Sequence, residues 1–179
     1  GYEAPERLVG PAPFLGVHGV AVDDDGRIYA GSVTGASLSV VERDSGKVSV
    51  LIGPPEGMAD DIAIAPDGTM AWTGFLTGKL YARKGDGPIR LLAEGLPGIN
   101  SLAFDKQGRL FATQVFLGDA LYEIDVNGER PPRKIKEGMG GLNGFEIGPD
   151  GWLYGPLWFK GQVVKVNVDR GELQVVADG

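Results

Sequence analysis

The sequence predicts an all-β fold of the β-propeller class, with four four-stranded blades in this chain. Two observations carry that prediction. A nine-residue block recurs four times, as His18–Gly26, Asp60–Gly68, Asn100–Gly108 and Asn143–Gly151, with closing glycines 42, 40 and 43 residues apart. Each interval then holds short apolar segments separated by turn residues, which is how a repeated blade reads.

Within each block a short apolar strand comes first: Val20–Val22, Ile62–Ile64, Leu102–Phe104 and Phe145–Ile147. A turn ending in glycine follows, because that turn needs a residue tolerant of positive φ. The second strands are Arg27–Ala30, Thr69–Thr73, Arg109–Thr113 and Trp152–Tyr154, each leading to a turn around Gly35, Gly78, Gly118 or Gly161. Third strands alternate in polarity, as in Leu80–Arg83, Leu121–Ile124 and Val163–Val166. More polar fourth strands follow at Val48–Ile52, Ile89–Ala93, Arg133–Lys136 and Leu173–Val176. The gradient suits an inner strand on a central axis and an outer strand in water. A β-sandwich has no reason to repeat one block four times, and β-helix coils are usually shorter.

These elements make residues 1–179 a single domain, with blades at about 17–53, 59–94, 99–137 and 142–177. Arg7-Leu-Val9 precedes His18 much as Arg90-Leu-Leu92 precedes Asn100, so residues 7–9 are expected to form the fourth strand of a preceding blade. Four blades lie at the low end for propellers. A closed four-bladed ring is one reading; the expected one is an arc of a larger ring, with the remaining blades on a second chain or removed.

Composition narrows the function classes. A net charge of −7 repels phosphate backbones and argues against a nucleic-acid partner. No window reaches eighteen apolar residues, so no helical membrane span is expected. The chain has no cysteine, hence no disulfide and no thiolate metal site. Residue 1 is Gly and not Met, which leaves room for an upstream segment such as a signal peptide. Cytoplasmic, periplasmic and secreted locations all stay open.

The residues opening the four blocks, His18, Asp60, Asn100 and Asn143, are equivalent by the repeat. In a propeller this places them around one mouth of the channel. Three of them carry hard oxygen donors of the kind Ca²⁺ takes, and the bland alternative is strand-start hydrogen bonding to nearby backbone. His18, the one histidine, is a candidate proton carrier beside such a site. Asp61 has the opposite strand phase and is expected to support a loop or neighbouring strand. Asp23-Asp-Asp-Gly26 lacks the glutamate of an EF-hand loop, Gly138-Met-Gly-Gly141 reads as a loop, and no nucleophile elbow is present. Trp72, Trp152, Trp158, Phe75, Phe116 and Phe159 are expected mainly in inter-blade packing, with a minority lining an apolar pocket near the mouth.

Three stretches resemble the SMP-30/gluconolactonase/luciferin-regenerating-enzyme family of six-bladed propellers. They are Asp60–Gly68, Gly98–Phe104, and Asn143-Gly-Phe with Leu157–Val166; the resemblance runs from about Phe14 to Gly179. It implies a metal-dependent lactonase or related esterase, with one divalent cation, often Ca²⁺, held in the channel by Glu, Asn and Asp. Asn100 matches the metal-binding Asn, Asn143 takes the place of the metal-binding Asp, and Asp60 takes the place of a substrate-side Asn. The expected metal set is then Asn100, Asn143 and Asp60, with Asp60 and His18 as the catalytic pair and a small lactone or ester as substrate. The family's Glu has no counterpart here, since the first block opens His18-Gly-Val; if Asn143 is the Asp position, the Glu blade lies outside this chain. A non-catalytic propeller binding a peptide or small ligand, and a propeller lyase or a synthase of the strictosidine type, are the rival expectations.

Overall fold

A computed structural model describes residues 2–10 and 14–179. Among these residues sixteen strands form four antiparallel four-stranded sheets, each built from consecutive strands in order. Blade one holds β1 (Gly19–Val22), β2 (Ile28–Ser32), β3 (Ser37–Val41) and β4 (Val48–Ile52). Blade two holds β5 (Ile62–Ile64), β6 (Thr69–Gly74), β7 (Lys79–Lys84) and β8 (Arg90–Ala93). Blade three holds β9 (Ile99–Phe104), β10 (Leu110–Gln114), β11 (Ala120–Ile124) and β12 (Arg133–Glu137). Blade four holds β13 (Glu146–Ile147), β14 (Leu153–Leu157), β15 (Gln162–Val166) and β16 (Leu173–Asp178). Each expected strand of the four blades is present, with ends shifted by up to three residues.

The repeat extends to backbone detail. The third and fourth strands of every blade slip register at one equivalent place: Leu38/Ser39, Leu80/Tyr81, Leu121/Tyr122 and Val163/Val164. A bulge there adds local twist to the outer half of the sheet, so the blade coils outward from the axis. The first turns of blades one and three share a device as well. Asp23 accepts hydrogen bonds from the Arg27 amide and Nε and from the Tyr29 hydroxyl, and Asp105 accepts from the Arg109 amide and Nε. These two first turns are thus self-capped hairpins, and Ala65 and Gly148 stand at the equivalent positions of blades two and four.

Blades pack face to face through three apolar cores. One joins blades one and two around Leu38, Ile62 and Trp72; the next joins two and three around Leu80, Leu102 and Leu110; the last joins three and four around Phe111, Leu121, Phe145 and Leu153. Trp72 is fully buried, stacks on Tyr81 with ring centroids 5.7 Å apart, and donates from Nε1 to the Glu56 carbonyl at 2.7 Å. Burying each such large side chain is worth about 1.5–3 kcal/mol.

No core joins blade four back to blade one among the described residues, so the sheets form an open arc. The repeat shows what is left uncovered. Ile62, Leu102 and Phe145 occupy one position and are each 4% exposed, whereas their counterpart Val20 is 56% exposed. Leu38, Leu80 and Leu121 occupy another and are each 0% exposed, whereas Val163 is 41% exposed.

Residues 7–9 do not form the expected strand. A strand needs a ladder partner, and among the described residues none pairs with residues 7–9. Their placement nevertheless follows the repeat. Leu8 O crowds Gly46 just as Leu91 O crowds Gly128 and Ile135 O crowds Gly171. Leu91 and Ile135 lie on the fourth strands β8 and β12, so Leu8 lies where such a strand would run.

Candidate functional site at the channel mouth

His18, Asp60, Asn100 and Asn143 all lie at the start of an inner strand, at one end of the arc. The His18 amide donates to Gly31 O, Asp60 to Thr73 O and Asn143 to Pro156 O, which pins these three to the ends of the second strands. The inner strands come very close. A Cβ on Gly19 would sit 2.5 Å from Asp60 O and 2.6 Å from Asp61 Cα, so only glycine allows β1 to lie against β5.

The quartet is uneven in environment. His18 is exposed; Asp60, Asn100 and Asn143 are half-buried. Burial pushes the Asp60 carboxyl above its ordinary range, and the His18 charge opposes that rise. The Asn143 Oδ1 accepts from the Ser101 hydroxyl at 2.9 Å, and Ser101 Oγ in turn accepts from the Gly144 amide at 2.6 Å. The bland expectation of strand-start bonding therefore describes Asn143 in part.

Asp61 sits where its strand phase places it, against the neighbouring strand. Its carboxylate accepts from the Leu102 amide of β9 at 3.1 Å and from its own neighbour Ile62 at 2.9 Å. Burial pushes its carboxyl up to about 6, with the charges of Asp60 and Glu146 adding and the two amides opposing. It is the most strongly raised acid at the mouth. The sequence signal for it is the Asp60-Asp61 pair itself, since two adjacent carboxylates at a strand start must either repel or separate to opposite faces.

A divalent cation of the calcium class requires convergent hard oxygens. The donors present are one carboxylate, Asp60, and the amide oxygens of Asn100 and Asn143, a set of the right chemistry with a single full negative charge. Among the described residues no three His, Cys, Asp or Glu side chains cluster as a metal-binding group. Asp60, Asn100 and Asn143 would hold such an ion together with water.

The aromatic residues divide in two. Trp72 is core, as expected. Trp152 lies under the Lys165 ammonium, 4.7 Å from its ring centroid. Phe116, Trp158 and Phe159 depart from the expected inter-blade packing. They are 51%, 64% and 62% exposed, and stand at the second turns, on the same end as the quartet.

A groove of about 830 Å³ opens at the opposite end, among the first turns of blades one to three. Three of its acids are already used: Asp23 and Asp105 cap their own turns, and Asp67 accepts from Lys84 Nζ at 2.9 Å. At the mouth the Asp60 and Asn100 side chains have no hydrogen-bond or ion-pair partner among the described residues, and Asp60 is half-buried.

Solved structures share this architecture. A streptogramin B lyase superposes with a TM-score of 0.80 at 16% identity, covering 95% of this chain and 57% of its own. A nidogen/laminin complex superposes at 0.80 with 21% identity, over 91% of this chain and 65% of that one. A gluconolactonase from Xanthomonas campestris gives 0.75 at 20% identity, over 94% and 63%.

This chain is a β-propeller.

It spans between 57% and 65% of these three structures. No family model matches the sequence, and no curated protein matches it. Identities of this size carry the propeller fold and leave its chemistry to the residues at the mouth.

Proposed function

We propose that the propeller is a hydrolase acting on a lactone or related ester at the channel mouth, with one divalent cation, of the Ca²⁺ type, bound there. The observation that supports this reading is the quartet: four repeat-equivalent polar residues at one end of otherwise apolar strands, one of them a half-buried carboxylate beside the single histidine. Asn100, Asn143 and Asp60 would hold the ion, which supplies Lewis acidity toward a carbonyl oxygen. Asp60 and His18 would receive and return the proton of the attacking water. Asp61 holds the Leu102 amide and so fixes β5 against β9 beneath the pair. Further blades between blade four and blade one would close the channel and complete the donor set.

The test is hydrolysis of a panel of aliphatic lactones and aryl esters with and without chelator. Turnover that falls on chelation and returns with Ca²⁺ is expected, and Asp60→Asn should lower it at least about a hundredfold. No metal-dependent turnover by the complete assembly defeats the reading.

A second reading, a non-catalytic module that binds a small ligand or peptide, is favoured by the single carboxylate among the oxygen donors. A thermal-shift measurement separates the two. An ion bound by the native state must raise the melting temperature by mass action, and a flat response to Ca²⁺ favours the binding module.

A further inference from the structure

Phe75, Phe116, Trp158 and Phe159 form one connected aromatic ledge on the mouth side of blades two to four. Phe116 is its centre, meeting Phe75, Trp158 and Phe159 edge-on with ring centroids 6.4, 5.9 and 5.7 Å apart. Leu76 and Leu117 extend it, 64% and 60% exposed. Aromatic rings in mutual contact on a surface are ordinarily covered by something.

Ring closure does not cover them. Blades two, three and four are already joined to one another through buried cores, and the ledge belongs to their turns rather than to the open faces marked by Val20 and Val163. The occupant is therefore something other than a further blade.

Two features show that the ledge is built for display. The first is backbone strain. Phe116 has φ 69°, and the Leu117 amide donates to Val115 O at 2.9 Å across it. An i to i+2 hydrogen bond over a positive-φ residue is the rare, strained hand of the three-residue turn, and a bulky side chain there is an outlier. Glycine would serve that turn at no steric cost. Strain of this kind concentrates at ligand sites, and here it aims a phenyl ring outward.

The second feature is the seat. A Cβ on Gly141 would lie 2.7 Å from Phe159 Cδ2, and one on Gly140 would lie 2.8 Å from Lys160 Cε. These glycines let the ledge rest directly on the segment that crosses to Asn143. That segment is tied down. Trp158 and Phe159 amides donate to the Gly141 and Gly140 carbonyls at 2.7 and 3.0 Å, and the Asp119 carboxylate accepts from the Gly140 amide at 2.8 Å. Gly138-Met-Gly-Gly141 is thus the rigid bridge between ledge and quartet, two residues from Asn143.

We infer that this ledge is the binding platform for the uncharged, apolar part of the ligand, a ring or alkyl chain whose polar end lies at the quartet. Resting on the hydrolase reading, it makes the preferred substrate a lactone or ester with a bulky apolar substituent. Edge and face contacts with three rings favour such a group over a small polar sugar acid.

The decisive probe is N-phenyl-1-naphthylamine, an uncharged dye that fluoresces on apolar surfaces. Phe116→Gly relieves the strained turn and removes the central ring. Its melting temperature should stay level or rise while dye affinity falls about three- to tenfold. Trp158→Ala should weaken the dye similarly, and Val163→Asp, on the open face of blade four, should leave this ledge component unchanged. The inference is overturned if Phe116→Gly melts lower with dye affinity intact. It is also overturned if the substitution converts a dimer to a monomer without altering dye affinity, since the ledge is then a self-association surface. Hydrolysis of p-nitrophenyl octanoate against p-nitrophenyl acetate is read alongside. No turnover of either ester, with dye binding still tracking the ledge, defeats the hydrolase and leaves the platform standing. Turnover with equal octanoate preference in wild type and Phe116→Gly, and unchanged dye affinity, does the reverse.

Discussion

Thr73 and Thr113 occupy the same position in adjacent blades and are both fully buried, yet only one of them is satisfied. The Thr73 hydroxyl donates to Asn100 O at 2.6 Å and accepts from the Asp61 amide at 3.1 Å. The Thr113 hydroxyl has no partner among the described residues. A buried hydroxyl left unpaired costs more than a paired one returns. Thr113→Val should therefore stabilise the fold by about 1 kcal/mol, and Thr73→Val should destabilise it by about 1–2 kcal/mol by orphaning Asn100 O. Urea unfolding of the two variants measures both. The same sign for both variants would defeat the assignment.

The pair also shows how far the sequence could be read. Repeat phase placed both threonines at the ends of second strands, Thr69–Thr73 and Arg109–Thr113. It could not say which hydroxyl is paired, because that depends on which backbone carbonyl the next blade's strand presents to it, Asn100 O in the case of Thr73. The mouth shows the same division. The phase of Asp61 was legible, and its partner Leu102 N lies on the neighbouring strand as expected. The exposure of Phe116 was not, since a strained φ at a bulky residue contradicts every local preference and leaves no compositional trace. Residues 7–9 carried a strand pattern without a ladder to join, so pattern alone overstated them.

Asp61 makes the stability of the arc depend on pH in a direction opposite to most acids. Its folded carboxyl, pushed up to about 6 by burial, holds a proton that the unfolded chain has released. The contribution is complete below the unfolded value of about 4 and is lost as pH rises through about 6. Asp61→Asn cannot titrate. Relative to wild type it should gain about 1–3 kcal/mol between about pH 4 and pH 7, measured by urea unfolding with chelator present. Parallel pH profiles for the two proteins would remove Asp61 from the account.

Val20 and Val163 test how the arc is completed. In the chain alone both side chains meet water, so Val20→Asp and Val163→Asp should each change its stability by less than about 0.5 kcal/mol. Where further blades cover these faces, the same substitutions bury a charge and should break the assembly. Native mass and amide exchange decide it. In the completed ring β1 and β15 should exchange as slowly as β5 and β9. Fast exchange in β1 and β15 of the native assembly would mean that no blade packs there.

Gly19→Ala tests whether the mouth depends on the close approach of blades one and two. The added methyl would meet Asp60 O at 2.5 Å and Asp61 Cα at 2.6 Å, both backbone atoms that cannot rotate away. β1 must then move outward, carrying His18 from Asp60 and loosening the Leu38–Ile62–Trp72 core. Overpacking of this kind costs about 1–3 kcal/mol. Gly68→Ala is the comparison. It places a methyl in open space, so its cost comes only from forcing a side chain to φ 83° at the far end of the blade. Both variants should lose stability by similar amounts, but only Gly19→Ala should also weaken any Ca²⁺-induced rise in melting temperature and any turnover. Equal effects of the two on both readouts would show that the Gly19 contact serves the fold alone.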